Sequence, residues 1–358
     1  MKKSTALMAA IALTLTACSS GSEGEDAPSG AESTQAGGSD ETGEAGGTVT
    51  IITHDSFNLD EDLIAEFEQS SGYTVETIAP GDGGVVTNQL ILNKDNPQAD
   101  AVYGIDNYLA KATLDGGVID SFTPDNLPAG AEELDGKLIP IDKGDVCINV
   151  DHEWFAEKNM AEPETFEDLA KPEYAELLVV TNASTSSPGL AFLAATVAKF
   201  GEDHWQDFWT DLMDGGTRVA EGWSDAYYTD FSGSEGAGPY PLVLSYSSSP
   251  SAEVGDDGTA RTGSLADTCT RQIEYAGVIA GAKNPAGAQA FIEFLLSDDV
   301  QASLPESMYM YPINDAIELP EAWAKHASLS DDPLMLDYEV LGDKRTEWLE
   351  EWSELTGR

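Results

Sequence analysis

Hydroxyl side chains crowd the start of a predicted helix in the stretch STSSPGLAFL, which begins at Ser184. Ser187 is a good N-cap, and Pro188 suits the first helical position. Capping uses one hydroxyl and leaves Ser184, Thr185 and Ser186 beside the unpaired N–H groups of a positive helix end. Such an end is suited to bind an anion such as phosphate. From these residues alone two interpretations stay open, an anion site and an ordinary polar loop.

Acidic and aromatic side chains gather in other short loops that follow predicted strands. The acidic residues are Asp55 in THDSF, Asp82 in GDGG and Asp106 in GIDN. The aromatic residues are Trp223, Tyr227 and Tyr228 in GWSDAYY, Tyr246 in LSYSSSP, and Tyr309 and Tyr311 in SMYMYP. Each is more often structural when taken singly. Together they are typical of a site for a flat or cationic ligand, because rings attract cations and carboxylates hold amino groups.

The sequence contains none of the common catalytic or nucleotide-binding motifs, GxSxG, HExxH, GxGxxG, CxxC or the P-loop. The few histidines stand in no context that would activate a serine nucleophile. The sequence therefore favours a binding protein over an enzyme.

Strands and helices alternate in the first part of the predicted fold. TVTIIT is a strand, residues 59–72 form an amphipathic helix, and YTVETIA is a second strand. GDGG is read as a tight turn before another helix, and ADAVYGIDN ends a third strand. This order predicts a parallel sheet whose loops at the carboxyl ends of the strands face a ligand.

The second part continues with strands and helices of the same kind. LIPIDKGDVCINVD reads as two strand pieces, and LLVVTNAS, PLVLSY and RQIEYAGVIAG read as further strands. Helices are predicted from Pro188 to about Phe200, around Trp205, in PAGAQAFIEFLLS, in DDVQASL, and in the tail KRTEWLEEWSEL. The chain is predicted to be an α/β protein of two lobes.

The N-terminus is typical of an exported lipoprotein. Two lysines precede an apolar run, which ends in the lipobox-like tetrapeptide LTAC at Cys18. The run is too short to span a bilayer. Residues 19–47 contain Ser, Gly, Ala and acids but no Lys, Arg or aromatic residue, so we expect a disordered tether. Cys18 is the predicted lipidation site and membrane anchor.

Acidic residues dominate the composition: 65 Asp and Glu stand against 17 Lys and Arg, and the formal net charge is −48. Solubility or adaptation to salt explains most of this charge. Such a surface disfavours nucleic acid and attracts cations, so no nucleic-acid partner is expected.

The predicted folded part has two cysteines, Cys147 and Cys269. Cysteines outside the cell often pair, but the sequence does not give the distance between these two, so a disulfide stays possible without being required. The four histidines show no metal-ligand spacing, and no metal or cofactor is expected.

Taken in order, the loops resemble those of the substrate-binding proteins of thiamine ABC transporters. The matching blocks are THDSF, GDGG, ADAVYGIDN, STSSPGLAFL, EGWSDAYY, LVLSYSSSP and MYMYP. They extend from Thr48 to roughly Trp352, and their order is specific although each block alone is weak. The resemblance implies a two-lobed fold of the type II periplasmic-binding-protein class, with a cleft between the lobes that closes on thiamine or its phosphate esters.

Site residues follow from the resemblance. It implies ring contacts for Trp223, Tyr246 and Tyr309, and places Asp82 and Gly83 at a turn near the ligand. Asp55 and Tyr227 complete the ring and carboxylate set, and Ser184, Thr185 and Ser186 become the phosphate side.

Two positions depart from the pattern of these proteins. His54 stands where they often have tyrosine, and Tyr309 stands where tryptophan is common. Both changes alter the aromatic cage and bear on the preference among thiamine, its phosphates and related pyrimidines.

The predicted organisation has five parts. They are a signal peptide (1–17), a tether (18–47), lobe 1 (48–145 and 275–312), lobe 2 (146–274) and C-terminal helices that pack on the lobes (313–358).

We expect a monomeric, lipid-anchored extracytoplasmic protein that captures thiamine and delivers it to an ABC permease without catalysis. Hinge closure of the two lobes would trap the ligand. One alternative is a ferric-ion or polyamine binder, for which the adjacent Tyr227 and Tyr228 are the iron candidates. A less favoured alternative is a thiaminase-like enzyme with Cys147 or Cys269 as nucleophile.

Overall fold

The computed structural model describes residues 46–234 and 238–358. The predicted signal peptide, Cys18 and all but the last two residues of the predicted tether lie outside the described residues. No helix in the described part of the chain is both long and apolar enough to cross a membrane.

Eleven strands occur in the described ranges. They are β1 Gly47–Ile52, β2 Tyr73–Ile78, β3 Ala101–Asp106, β4 Ile119–Asp120, β5 Ile139–Asp151, β6 Leu178–Thr181, β7 Arg218–Ala220, β8 Leu242–Tyr246, β9 Thr262–Ser264, β10 Thr270–Ile279 and β11 Tyr311–Pro312.

Twelve α-helices occur in the same ranges. They are α1 Glu61–Ser71, α2 Gly83–Leu92, α3 Ala110–Asp115, α4 His152–Lys158, α5 Phe166–Leu169, α6 Pro172–Ala175, α7 Ser187–Phe200, α8 Trp205–Gly215, α9 Pro285–Leu295, α10 Asp298–Met308, α11 Glu321–His326 and α12 Tyr338–Thr356. A π-helical turn, Asp225–Asp230, follows β7.

One mixed sheet runs through the molecule in the order β2-β1-β3-β10-β5-β8-β6-β7. The strands β2, β1 and β3 are parallel, as the alternation of strands and helices predicts. The strands β8, β6 and β7 form a second parallel group. We call the first group with its helices lobe 1 and the second group with its helices lobe 2. The two-lobed α/β fold is therefore confirmed, while the residue limits given to the lobes stay predictions.

Two long antiparallel strands, β5 and β10, join the lobes. The segment read as two strand pieces is one continuous strand, β5, whose first half pairs with β10 and whose second half pairs with β8 of lobe 2. The pairing of β10 shifts register between Glu274 and Tyr275 on the side of β5, and between Tyr275 and Ala276 on the side of β3. Cys147 in β5 and Cys269, directly before β10, form a disulfide. The disulfide therefore links the two connecting strands to each other.

Apolar side chains bury both faces of the sheet. In lobe 1 Phe67 of α1 packs against Phe291 of α9. In lobe 2 the core contains the edge-to-face pair Trp209 of α8 and Trp352 of α12. The C-terminal helix α12 contacts α8 of lobe 2 and also α3 of lobe 1, so it spans the two lobes.

Local sequence signals place two helix starts close to the cleft. Asp82 caps α2 by accepting the Gly83 N–H, so Gly83 lies in the first helical turn and not in a free turn before it. Ser187 is the first residue of α7, and the cap position belongs to Ser186, whose side chain makes no capping bond. The cap therefore lies one residue earlier than the sequence indicates, a common uncertainty at helix ends.

Candidate functional site

A cleft of about 380 Å³ lies between the lobes. The β1–α1 loop and the start of α2 line it from lobe 1, and the start of α7 and the π-helical turn line it from lobe 2. Its position matches the rule that open α/β sheets bind ligands where parallel strands end.

An aromatic wall forms one side of the cleft. The ring of Trp223 lies 6.1 Å from that of Tyr246 and 6.4 Å from that of Tyr309, centroid to centroid. The Trp223 indole N–H donates to the Ser245 hydroxyl at 2.9 Å, which fixes the ring plane. These three predicted ring contacts all line the cleft. They leave a curved aromatic surface suited to a flat or cationic ligand.

Tyr309 reaches the wall through an uncommon backbone conformation. It ends α10 with a φ of 56°, in the left-handed region that non-glycine residues rarely adopt. The Ser248 hydroxyl donates to the Tyr309 carbonyl at 2.6 Å and helps to hold this turn. Strained backbone of this kind is frequent at ligand sites, where the surrounding structure fixes it.

The two adjacent tyrosines of the π-helical turn face different surroundings. Tyr227 is 2% exposed, stacks on Trp223 at 5.1 Å and donates its hydroxyl hydrogen to Glu253. Tyr228 lines the cleft instead. Tyr227 therefore supports the wall from behind, and its role as a direct ligand contact stays a prediction.

Two predicted carboxylates, Asp55 and Asp82, line the cleft. Oδ1 of Asp82 accepts the Gly83 N–H at 2.6 Å and the Ser187 N–H at 3.2 Å, while Oδ2 accepts the Trp223 N–H at 3.1 Å. Asp82 belongs to lobe 1, whereas Ser187 and Trp223 belong to lobe 2. Its carboxylate therefore joins the lobes and occupies the positive end of α7. Burial, together with the charge of Asp82, raises the pKa of Asp55.

The three hydroxyls predicted to hold phosphate turn in other directions. Ser186 is buried and donates to the Thr181 hydroxyl at 2.9 Å, and Thr185 donates to the Glu221 carbonyl at 2.7 Å. Ser184 borders a separate depression beside Arg345. Among the described residues lining the cleft, Ser187 is the member of this stretch that contributes a hydroxyl. A phosphate role for Ser184, Thr185 and Ser186 stays a prediction.

Gly83 and Gly84 allow the two helix starts to approach closely. A Cβ on Gly83 would lie 2.2 Å from the Ser187 hydroxyl oxygen, and one on Gly84 would lie 2.7 Å from the carbonyl carbon of Thr185. Gly83 is buried and is not among the described residues that line the cleft. Its contribution to the site is the space it leaves for lobe 2.

Sequence reasoning missed three residues of the cleft that can carry charge, His54, Glu274 and Glu306. Glu274 is 4% exposed and lies in β10. His54, noted only as a departure from a pattern, lies 3.6 Å from it, Nε2 to Oε2. An acid inside the apolar strand RQIEYAGVIAG was the available signal, because buried acids are rare unless they are paired.

Residues 96–332 match the family of bacterial extracellular solute-binding proteins. The match covers well over half of the chain. The chain belongs to this family.

Similar proteins match nearly the whole length of the described chain. The thiamine-binding periplasmic protein of Brucella suis is 29% identical over 324 residues, which cover 87% of this chain and 92% of the relative. The protein of the same name from Escherichia coli is 27% identical, with 87% and 94% coverage. A solved structure of a periplasmic thiamin binding protein has a TM-score of 0.76 at 24% identity, covering 87% of this chain and 96% of that chain.

Within the described residues of this solute-binding protein, no group of three or more His, Cys, Asp or Glu side chains is arranged to hold a metal ion. The tyrosine pair proposed for iron is divided, since Tyr227 binds Glu253 and only Tyr228 lines the cleft. The geometry gives no support to a ferric site.

Asp106, at the end of β3, couples pH to stability. Its Oδ1 accepts the N–H groups of Tyr108 at 2.7 Å and Leu109 at 2.9 Å. Burial raises the pKa of Asp106 to about 7, although Ser187 and the two backbone donors act against the rise. The folded protein therefore keeps a proton on Asp106 at pH values where the unfolded chain has released it.

We expect ionisation of Asp106 to lower the free energy of unfolding as pH rises from about 4 to about 7. In this window the folded state binds more protons than the unfolded state, so raising the pH favours unfolding. Asp106→Asn has no proton to lose. The difference in unfolding free energy between this variant and wild type should move in favour of the variant by up to about 4 kcal/mol across the window.

Urea unfolding at about pH 4, 6 and 8 measures this difference, and the exposed Asp125→Asn serves as control. A pH-independent difference for Asp106→Asn would contradict the assignment.

Proposed function

We propose that this solute-binding protein captures thiamine, or its phosphate esters, outside the cell membrane and delivers it to an ABC permease. The observation that carries the proposal is the aromatic wall of Trp223, Tyr246 and Tyr309 beside a set of carboxylates. Thiamine has a positively charged thiazolium ring and a flat aminopyrimidine ring, and both suit such a wall. The similar proteins of Brucella suis and Escherichia coli are thiamine-binding proteins, which supports the same ligand.

The charge of the cleft supports a cationic ligand. The acids among its described lining residues are Asp55, Asp82, Glu274 and Glu306, and none of the described lining residues is Lys or Arg. Ser187 supplies a hydroxyl at the start of α7, so we propose it as the contact for the hydroxyethyl group or its phosphate.

Closure of the lobes is the proposed mechanism of capture. The two connecting strands β5 and β10 permit a hinge, and a ligand that contacts both lobes favours the closed state. We also propose that the protein is monomeric, carries a lipid on Cys18 and performs no catalysis. The cysteines considered as nucleophiles, Cys147 and Cys269, are joined in a disulfide, so neither offers a thiolate.

A titration tests the proposal. Tryptophan fluorescence should show saturable quenching with thiamine, its monophosphate or its diphosphate, and none with spermidine or ferric citrate. A response to iron or spermidine without one to thiamine would reject the proposed ligand. Incubation with thiamine should leave thiamine unchanged, and any turnover would reject the non-enzymatic role.

Removing the central ring should weaken binding. Trp223→Ala should reduce thiamine affinity by roughly 1–3 kcal/mol, because stacking and cation–π contributions are both lost. Isothermal titration calorimetry measures the loss. Trp154→Ala, a partly exposed tryptophan of α4 that is not among the described lining residues, is the matched control. Equal affinities for Trp223→Ala and wild type would remove Trp223 from the site.

A further inference from the structure

Glu274 lies at the floor of the cleft, in one of the two strands that join the lobes. Its side chain is buried yet borders the cavity. It stands where the pairing of β10 with β5 shifts register, one residue before the shift of β10 against β3. A shift of this kind turns a side chain away from the regular alternation of a strand. It accounts for an acid of an apolar strand reaching the binding cavity.

Three side chains hold the Glu274 carboxylate in place. Its Oε2 accepts the Tyr103 hydroxyl at 2.9 Å, and its Oε1 accepts the Gln272 amide at 3.0 Å. The His54 ring approaches Oε2 to 3.6 Å, as an ion pair slightly longer than a hydrogen bond. The same Gln272 amide nitrogen lies 3.2 Å from the Tyr246 hydroxyl, so the floor is connected to the aromatic wall.

A second buried acid, Asp142, lies opposite Glu274 on β5. Both carboxyl groups contact the Tyr103 hydroxyl. That hydroxyl has one hydrogen, so when it donates to Glu274 the group on the Asp142 side must itself be protonated and donate. One acid of the pair is therefore neutral and the other is charged.

The environment assigns the proton to Asp142. Burial, with the charge of Glu274, raises the pKa of Asp142 well above its usual range. Burial would also raise the pKa of Glu274, but the charge of the nearby His54 and the hydrogen bond from Tyr103 outweigh burial and lower it. The pair also changes the pKa of His54. Burial acts to lower that pKa, but the charge of Glu274 outweighs burial and raises it. Glu274 is thus the ionised group.

Hydrogen-bonding capacity remains unused at this floor. A carboxylate offers about four acceptor positions, and the bonds to Tyr103 and Gln272 use two of them. Within the described part of the chain, the amide oxygen of Gln272 has no hydrogen-bond partner. Unused acceptors of buried groups carry a free-energy cost that a ligand donor would remove. A ligand N–H donor would therefore be stabilised at the floor of the cleft.

We propose that Glu274 is a ligand-binding residue whose carboxylate accepts a hydrogen bond from the exocyclic amino group of the aminopyrimidine ring. This inference rests on the proposed function. The quaternary thiazolium nitrogen has no hydrogen to donate, so the amino group is the N–H donor of thiamine. The aromatic wall then holds the rings, while Glu274 reads the pyrimidine edge and rejects analogues without that donor.

The test compares two acid-to-amide variants with two ligands. Glu274→Gln removes the floor carboxylate, and Glu318→Gln makes the same change at an exposed acid that is not among the described lining residues. The ligands are thiamine and the analogue with hydrogen in place of the amino group. Calorimetry gives the affinities, and thermal melting of each variant reports its folding.

Glu274→Gln should bind thiamine roughly 10- to 100-fold more weakly, as expected for a hydrogen bond to a charged group. Glu318→Gln should stay within about threefold of wild type, because exposed charges contribute little. Wild type should bind the analogue more weakly by a similar factor to the Glu274→Gln loss. Glu274→Gln should hardly change the affinity for the analogue, a selectivity that a merely structural role would not produce.

Other outcomes overturn the inference. Equal losses for both ligands on Glu274→Gln would show a structural role only. If that variant does not fold, equal affinity of wild type for thiamine and the analogue decides against the amino-group contact. If wild type binds thiamine, the proposed function holds whether or not Glu274→Gln behaves as expected. If wild type does not bind thiamine, the proposed function itself is rejected.

Discussion

Replacing Gly84 with alanine should weaken ligand binding by roughly 10- to 100-fold while the protein stays folded. The new methyl group would lie 2.7–2.9 Å from the Thr185 carbonyl group and the Ser184 carbonyl oxygen. These are backbone atoms at the start of α7, so they cannot move aside as a side-chain tip would. Overpacking of this kind costs about 1–3 kcal/mol. Here it destabilises the closed arrangement of the lobes, in which α2 contacts the residues before α7.

The open arrangement should tolerate the same methyl group. Gly84 lies in the first turn of α2, where alanine favours the helix over glycine by up to about 1 kcal/mol. Separation of the lobes also breaks the Val85 N–H bond to the Thr185 carbonyl and the Asp82 bonds to lobe 2. The variant should therefore shift the population toward the open state, at unchanged or slightly higher melting temperature.

Calorimetry with thiamine and small-angle X-ray scattering with and without thiamine measure the two effects. Asn88→Ala, on the exposed face of the same helix, controls for helix propensity. If Gly84→Ala binds thiamine as tightly as Asn88→Ala does, contact between α2 and α7 is not part of the ligand-bound state.

Loss of the Cys147–Cys269 disulfide should lower the free energy of unfolding by about 2–5 kcal/mol. The bond closes a loop of 122 residues, and long loops lose the most entropy in the unfolded chain when they are closed. It also links β5 to the start of β10, the strands on which both lobes depend. The double variant Cys147→Ala/Cys269→Ala should therefore unfold at lower urea concentration than wild type.

Urea unfolding with and without dithiothreitol checks this prediction. The reductant should destabilise wild type to about the level of the double variant and leave the double variant itself unchanged. Equal midpoints for reduced and oxidised wild type would mean that the disulfide contributes nothing to stability.

Local sequence patterns carried most of the information about the elements that build the site. The strand and helix order of residues 48–106 predicts the parallel arrangement of β2, β1 and β3. Asp82 before two glycines predicts a special turn, and it caps α2. Hydrophobic periodicity and caps act within a few residues, so they can be read without knowing the fold.

Side-chain direction at the cleft could not be read in this way. Of two adjacent tyrosines, Tyr228 lines the cleft and Tyr227 packs behind Trp223. Neighbouring residues of a helix point about 100° apart, and the π-helical turn changes that angle, so the sequence does not show which of them faces the ligand. The hydroxyls of Thr185 and Ser186 turned away from the cleft because other elements offered partners, the Glu221 carbonyl and the Thr181 hydroxyl.

The sequence by itself predicted the α/β class, the two lobes, the aromatic and acidic residues that line the cleft, and the resemblance on which the proposed ligand rests. These features depend on residue type and short-range order. Only the tertiary structure decided that β5 is one strand, that Cys147 bonds to Cys269, that Asp82 joins the lobes and that Glu274 lies at the cleft floor. Each of these features depends on residues that are far apart along the chain. The packing of the two lobes around β5 and β10 sets the distance between those residues in space.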